Sequence, residues 1–450
     1  MSLREAIGSY HDLLTDDLAA ASHAWLEEQQ KLRGLFFGDR PLCSVLRPRF
    51  MTPEQYRFLQ SRVRILLGAF EKIYQAAIAD ADFRAQFGLL DWEEALIGYD
   101  PGFHAPSPTS RVDTFFVTDR GGLRLTEYNA ETPASPAYND ALAEIFYGMP
   151  VMREFLHEHE VRTLPARHSV LNALINCYEQ WVGHREAPRI AILDWREVPS
   201  YSEFVLFEDY FKSQGIECVI ADPREVEYSN GRLMAGDFHI TLIYKRVLLS
   251  ELVERSGLDS PVIRAVLDGA VCMVNPFRCK ILHKKASLAV LSDERNAGLF
   301  TLPELEAIEA HIPWTRRVEE RVVRYRDAAV DLIPFILEHR ERLVLKPNDE
   351  YGGKGIVLGW ETDPNSWMQA ISTALTEPYI VQERVAIPSE PYPSMLDGHV
   401  ELVDRMLDTN PLVFYGDYID GCLSRLSTQA LLNVSAGSGS AVATFVVENR

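Results

Sequence analysis

Asp113, Glu127 and Asn129 are residues whose types and spacing could do chemistry. A hard cation such as Mg²⁺ takes carboxylate and amide oxygens in octahedral geometry, and fills its remaining positions with water and the phosphates of a nucleotide. Two carboxylates and an amide suit that role if they meet. Residues 111–133, RVDTFFVTDRGGLRLTEYNAETP, read as a β-hairpin that brings them together. Two β-forming runs, 112–118 and 123–128, flank Asp119-Arg120-Gly121-Gly122, whose glycines take positive φ at no steric cost. The period of two places Leu123, Leu125, Glu127 and Asn129 on one face, so a buried row would end in a carboxylate and an amide. With a three-residue loop Asp113 falls opposite Glu127 or Asn129; a two- or four-residue loop turns it away. Taken alone, E-x-N is more often the polar end of a strand than a metal site.

A second group lies at 343–385. LVLKPND ends a strand at Lys346, and YGGKGIVL supplies a glycine-rich turn, Gly352-Gly353-Lys354-Gly355, into another strand. Successive N–H groups in such a turn cradle phosphate oxygens, with Lys346 and Lys354 adding positive charge. It is neither a Walker A loop nor a dinucleotide fingerprint. YIVQERV then forms a strand with Gln382 and Glu383 at its end. Upstream, Lys284 and Lys285 precede an apolar helix, near a start where phosphates bind readily. Near the C-terminus, Arg425 and Asn433 precede Ala436-Gly437-Ser438-Gly439. His157 and His159 invite a metal reading, but i and i+2 do not share a helix face, and the pair reads as a solvated helix end.

The elements that must position these groups are legible in outline. Residues 1–90 carry apolar positions at helical spacing, with Thr52-Pro53-Glu54-Gln55 opening one helix by a capping box; no chemistry is assigned to them. Helices are expected at 141–156, interrupted at Gly148-Met149-Pro150, and at 169–181. From Arg189 the pattern alternates: strand RIAILDW, helix 201–214, strands IECVIAD and ITLIYKR. This suggests a doubly wound α/β unit, in which ligands sit outside the carboxyl ends of the strands. Asp194, Trp195, Arg196, Asp222 and above all Lys245 and Arg246 would then lie near a pocket.

Composition sets the outer limits. A length of 450 gives a soft prior of about three domains. A net charge of -20 argues against nucleic acid as a partner. Six scattered cysteines form no C-x-x-C pair and read as reduced, buried thiols. The first residues lack an apolar signal core, and no run reaches the ~18 apolar residues of a membrane helix. A cytoplasmic protein with no membrane partner is expected.

The order of the pieces carries more than any one of them. A strand-end lysine, a glycine-rich lid, a Q-E strand, then an arginine and an asparagine resemble the nucleotide elements of the ATP-grasp superfamily. There the aspartate and E-x-N usually come last, whereas here they come first. The sequence thus resembles a circularly permuted ATP-grasp protein, and LTEYNAETPASP is similar to the metal segment of the synthetase domain of glutathionylspermidine synthase and its uncharacterised bacterial relatives. The resemblance covers about 100–450.

It implies an α/β (α+β) ATP-grasp fold in permuted order with a Rossmann-like α/β subdomain and a helical N-terminal region. The expected parts are a helical region 1–95, the permuted metal-binding part of the core 96–185, a Rossmann-like substrate subdomain 186–280, the lid and nucleotide-binding lobe 281–385 and the rest of the core 386–450. Asp113, Glu127 and Asn129 would hold two Mg²⁺ ions against ATP. Lys346 and one of Lys284 or Lys285 would bind phosphates under the loop of Gly352, Gly353, Lys354 and Gly355. Glu383, beside Gln382, would accept the adenine amino group. Arg425 would stabilise the transferring phosphoryl group, and Arg111 the carboxylate or tetrahedral intermediate. The implied activity is ADP-forming C–N ligation of a small-molecule or peptide carboxylate to an amine through an acyl phosphate. A kinase or ester-forming enzyme, or an inactive ATP-binding scaffold, would use the same motifs. No amidase-type Cys/His region precedes Arg111, glutathione and spermidine are not carried over as substrates, and the oligomeric state stays open.

Overall fold

The computed structural model describes residues 2–117, 122–350, 352–429 and 439–449. The helix Pro53–Ala79 opens where the sequence predicts: the Thr52 hydroxyl accepts from the Gln55 N–H, and the Gln55 side chain reaches back to the Thr52 N–H. Its apolar stripe, Tyr56, Leu59, Val63, Leu66, Leu67, Phe70 and Ile73, is buried in one cluster with Val112, Phe116, Leu123, Leu125 and Tyr128 of the hairpin. Phe70 and Tyr128 pack with ring centroids 4.7 Å apart. The helical region thus backs the chemistry-bearing hairpin, and truncating Leu125 to alanine in that interface would cost about 2–5 kcal/mol.

The hairpin strands Thr109–Val117 and Gly122–Asn129 pair antiparallel, with Val117 opposite Gly122 and Asp113 opposite Glu127. Most of the expected turn, Asp119 to Gly121, lies outside the described residues. The register slips by one between Asp113 and Thr114, so that Thr126 is extra in its strand. This bulge overturns the expected phase. Leu123 and Leu125 face the apolar core, but beyond Thr126 it is Tyr128 and Ala130 that do so, while Glu127 and Asn129 turn to the opposite face. The same bulge restores the pairing of Asp113 with Glu127, which four residues between Val117 and Gly122 would otherwise have lost.

The hairpin is the edge of a nine-stranded sheet in which Thr109–Val117 pairs with Asn410–Phe414, followed by Tyr418–Ser427, His399–Leu407 and Ser389–Leu396. Leu412 lies opposite Arg111, so early and late parts of the chain share one sheet. Ser440–Asn449 pairs with Tyr418–Ser427, with Arg49–Met51 and with His159–Thr163. That last pairing corrects the histidine reading. His157 is exposed, but His159 starts a strand and is buried against the Phe155 ring, 4.0 Å between centroids.

The expected α/β unit is a four-stranded parallel sheet in the order Cys272–Val274, Leu242–Lys245, Ile190–Leu193, Cys218–Ala221, with helices Arg167–Val182 and Tyr201–Ser213 packed beside it. An antiparallel meander, Val226–Ser229, Arg232–Ala235 and Phe238–Ile240, intervenes. Its first turn, Asn230-Gly231, has φ of 51° and 71°, the positive pair that a two-residue hairpin turn requires. A further antiparallel sheet runs Thr315–Arg317, Tyr379–Glu383, Leu343–Pro347, Val357–Leu358. All six cysteines are buried and unbridged, and no helix among the described residues is long and apolar enough to cross a membrane.

Candidate active site

The nine-stranded sheet and the smaller antiparallel sheet flank an open cavity of about 310 Å³. Asp113, Thr126, Glu127, Asp408 and Arg425 line it from the large sheet, and Lys346, Gln382 and Glu383 from the smaller one, with Gly352 and Gly353 of the intervening loop. Phe115, Val344, Ile356, Leu358, Trp360, Val385 and Ile387 give it an apolar part. Alternation along a strand places Val344 and Lys346, two apart, on the same wall. Gly352 and Gly353 have φ of 65° and 80°, where a β-carbon would be strained.

Burial by itself would raise the Asp113 carboxyl, but Arg111 and Arg425 outweigh it and hold the group at about 2. The Arg111 guanidinium donates to both oxygens, at 2.7 and 3.2 Å, and Arg425 donates to Oδ2 at 2.7 Å. Arg425 is steadied in turn by Asp408, whose oxygens accept from its Nε and its N–H, each at 2.6 Å. Glu127 is likewise pushed up by burial and pulled down further by Lys285, whose Nζ lies 2.9 Å from Oε1. Lys346 donates to neutral oxygens, Gln382 Oε1 at 2.8 Å and the Thr126 carbonyl at 3.3 Å, and desolvation lowers its pKa to about 8. The Gln382 amide is oriented by donating to the Thr315 hydroxyl at 3.0 Å. Glu383 accepts from the Tyr325 hydroxyl at 3.0 Å.

The three oxygen-bearing groups are of types that suit a hard cation, which would have to displace Arg111 and Arg425 from Asp113 and Lys285 from Glu127. Asp113 and Glu127 lie opposite one another in the ladder, Asn129 is on the same face, and the Asn129 Nδ2 is buried without a hydrogen-bond partner among the described residues. No hydrogen bond among the described residues fixes its Nδ2, but Asn129 itself does not line the cavity.

Other expected residues fall elsewhere. Arg111 and Lys285 touch the cavity-lining carboxylates without lining the cavity themselves. Lys354 points to solvent and pairs with Glu350 at 3.3 Å. Gly355 packs where a β-carbon would lie 2.7 Å from Pro347 Cγ, so its place is set by packing. Asn433 lies outside the described residues. The strand-end residues of the parallel sheet do not line this cavity: Asp222 is held by Arg224, Arg196 pairs with Glu225, and Arg246 is buried against Glu203 at 3.1 Å.

Lys284 and Lys245 belong to a second, closed group of charges. Lys284 sits 2.7 Å from Glu93 and 3.0 Å from Asp349; Lys245 sits 3.2 Å from Glu131; Lys280 reaches Glu131 at 3.0 Å and Asp349 at 2.7 Å. Ligand atoms of Glu131, Asp349 and His283 lie within 4.8 Å of one another, but the Lys280 ammonium already stands between the two carboxylates where a cation would go. Burial lowers the His283 pKa to about 4, so the imidazole is neutral. Sequence reasoning missed this group and Asp408, because its partners are far apart in the chain.

The fold has a solved counterpart. A glutathione synthetase-like effector from Globodera pallida, in its apo form, superimposes with a TM-score of 0.59 over 97% of this chain and 95% of its own, at 13% identity. The chain shares the fold of this glutathione synthetase-like protein. In sequence it is similar to two proteins provisionally named as glutamate–cysteine ligases. One, from Frankia alni, is 24% identical over 92% of this chain and 49% of its own length. The other, from Frankia casuarinae, is 30% identical over 92% of this chain and 48% of its own. The chain spans about half the length of these curated relatives. No family model matches it.

Proposed function

We propose that this chain is an ATP-dependent ligase that joins the carboxylate of one small molecule or peptide to the amine of another, forming an amide through an acyl phosphate with release of ADP and phosphate. The observation that carries this reading is Lys346: a desolvated lysine whose hydrogen bonds among the described residues go to neutral oxygens, in a cavity that also holds Asp113, Glu127 and Arg425. A triphosphate would restore the charge balance that burial denies this amine. The provisional names of the Frankia relatives, glutamate–cysteine ligases, favour amino-acid-like substrates.

In this reading Asp113, Glu127 and Asn129 hold two Mg²⁺ ions, which neutralise phosphate charge when bound. Lys346 and Lys285 bind phosphates; Lys285 is favoured over Lys284 because it touches Glu127, whereas Lys284 is held by Glu93 and Asp349. The loop of Gly352, Gly353, Lys354 and Gly355 closes over the phosphates, and Glu383, beside Gln382, accepts the base's amino group at the apolar end. Arg425, fixed by Asp408, stabilises the transferring phosphoryl group. Arg111, which also donates to the Ala134 carbonyl at 3.0 Å, faces the carboxylate and later the tetrahedral oxyanion. The hairpin's pairing with Asn410–Phe414 supports the circularly permuted order, and the division into parts at 95, 185, 280 and 385 is proposed with it. Six buried thiols favour a reducing compartment, the cytoplasm.

The test is ADP release from Mg-ATP against pools of amino acids, small peptides and polyamines, with mass spectrometry on any positive pool. A product lighter than its two substrates by one water establishes the ligase. A product heavier by one phosphoryl group replaces it with a kinase, and ATP binding without turnover in any pool leaves a scaffold.

A further inference from the structure

Between Lys346 on the cavity wall and Asp349 in the closed charge group, Asn348 is buried, and its four polar groups are bonded to three separate segments of the chain. Its Oδ1 accepts from the Ala286 N–H at 2.8 Å and its carbonyl from the Lys285 N–H at 2.9 Å. Its Nδ2 donates to the Phe87 carbonyl at 2.8 Å, and its N–H to the Pro378 carbonyl at 2.9 Å. One side-chain partner is a donor and the other an acceptor, so the amide has a single satisfied orientation. The Phe87 end is itself anchored. Phe87 closes the short turn Ala85–Phe87, Gly88 after it has φ of 64°, and a β-carbon there would lie 3.2 Å from Asn348 Nδ2. The Ala85 carbonyl accepts from Arg317 of the smaller sheet at 2.8 Å, and Gln86 Oε1 accepts from Asn296 Nδ2 at 3.0 Å. Besides backing the hairpin, the helical N-terminal region thus grips the segment that carries Lys346. What Asn348 holds in register with it is Lys285, whose ammonium donates to the Glu350 carbonyl at 2.6 Å and lies 2.9 Å from Glu127.

We infer that Asn348 is a positioning residue: it fixes the backbone of Lys285 relative to Lys346 and ties both to the Phe87 turn, so that the two ammonium groups meet one triphosphate. The inference rests on the nucleotide reading of the cavity, and adds to it a residue that does not line the cavity at all. Two lysines from distant segments bind one ligand well only if their backbones are already set, because ordering them at the moment of binding costs affinity. A buried asparagine with one donor and one acceptor partner specifies a single arrangement, whereas an apolar side chain of the same size fills the space and specifies none.

The experiment is a double-mutant cycle, read by titration calorimetry of the full chain with Mg²⁺ and the non-hydrolysable imido analogue of ATP. Asn348→Ala should weaken the analogue about three- to tenfold, the range for a neutral hydrogen bond. In a Lys285→Ala background the same change should weaken it less than about twofold, because the residue it positions is gone; in a Lys346→Ala background it should keep its full effect. Asn348→Asp keeps an oxygen toward Ala286 but sets another against the Phe87 carbonyl. It should bind between the wild type and Asn348→Ala, and it carries the same cycle if the alanine variant does not fold. The unfolding midpoint should fall in every background, and a merely structural asparagine would move only that. Equal losses of affinity in the wild-type and Lys285→Ala backgrounds, or no loss with either variant, overturn the inference. So does a Lys285→Ala chain that binds as the wild type does while Lys346→Ala is weakened, and the nucleotide site then stands without it. If the wild type binds no analogue, or Lys346→Ala changes nothing, the nucleotide reading fails and takes this inference with it.

Discussion

Glu127 and Glu131 are four residues apart, and Lys346 and Asp349 three, yet each pair is divided between two charge groups of opposite character. Around Glu131 the group is closed: Glu93, Glu131 and Asp349 are matched by Lys245, Lys280 and Lys284, and His283 is neutral. Around Glu127 it is open to a cavity, and Lys346 satisfies itself with an amide and a carbonyl. The difference teaches how to tell structural from functional charge. Matched, buried charges fix the end of the hairpin strand to the start of the glycine-rich loop. Incompletely matched charges on a cavity wall await a ligand.

If the comparison holds, the largest effect belongs to the closed group. Lys280→Ala removes the ammonium shared by Glu131 and Asp349 and leaves three carboxylates to two lysines, which should cost roughly 3–5 kcal/mol, read as a fall in denaturation midpoint at constant slope. Loss of less than ~1 kcal/mol would mean the group is not the strut described here. Its pH response has a set sign. Burial raises the Glu131 carboxyl, but Lys245 and Lys280 outweigh it and bring it to about 2, so its contribution is present above about pH 4 and is lost as the pH falls toward 2.

Glu127→Ala comes next, and should invert the pattern: turnover with Mg-ATP down by about 10³-fold, some 4 kcal/mol of transition-state stabilisation, with the midpoint of unfolding little changed. Full turnover in this variant would remove the hairpin from the site.

How much of this was legible follows from how local each signal is. Lys346, Gln382, Glu383 and Glu127 were readable because they lie near strand ends, and Asp113 and Arg425 because the order of the motifs along the chain is informative. The bulge at Thr126 was not, since threonine is as good in an unbroken strand and only the paired ladder reveals the slip. Adjacent lysines at 284 and 285 have the same local sequence; which faces Glu127 is decided by Asp349 and Glu93, from segments 65 and 191 residues away from Lys284. Lys245 misled for the same reason, because the rule that ligands gather at strand ends does not say which strand ends are plugged by a carboxylate from elsewhere.

Lys346→Ala should weaken Mg-nucleotide binding by about 1.5–3 kcal/mol, the scale of a charged hydrogen bond. Its titration sharpens the assignment. Burial, the largest influence, lowers this lysine to about 8, so nucleotide affinity should be flat below pH 7 and fall by up to about tenfold per unit above 8 as the cation is lost. Stability of the free protein should respond in the opposite sense: between pH 8 and about 10.4 the unfolded chain holds the proton and the folded one does not, so this group's contribution to stability rises with pH. Affinity that is level through pH 9 would detach Lys346 from the phosphates.

The smallest effect tests the edge of the site. Lys354 is exposed and paired with Glu350, itself partly exposed, at 3.3 Å. Such a pair contributes between nothing and about 1 kcal/mol, so Lys354→Ala should leave the unfolding midpoint nearly unchanged. Its effect on nucleotide binding depends on whether the glycine-rich loop folds inward. If it does, Lys354→Ala weakens triphosphate binding a few-fold and the loss shrinks as salt is raised, because a solvated charge acts through a screened field. If the variant binds as the wild type does at low salt, Lys354 is a surface lysine, and the loop's role rests on the N–H groups around Gly352 and Gly353 alone. In either case the contrast with Lys346, eight positions earlier on the strand, should survive: desolvation makes that lysine's loss costly at any salt concentration.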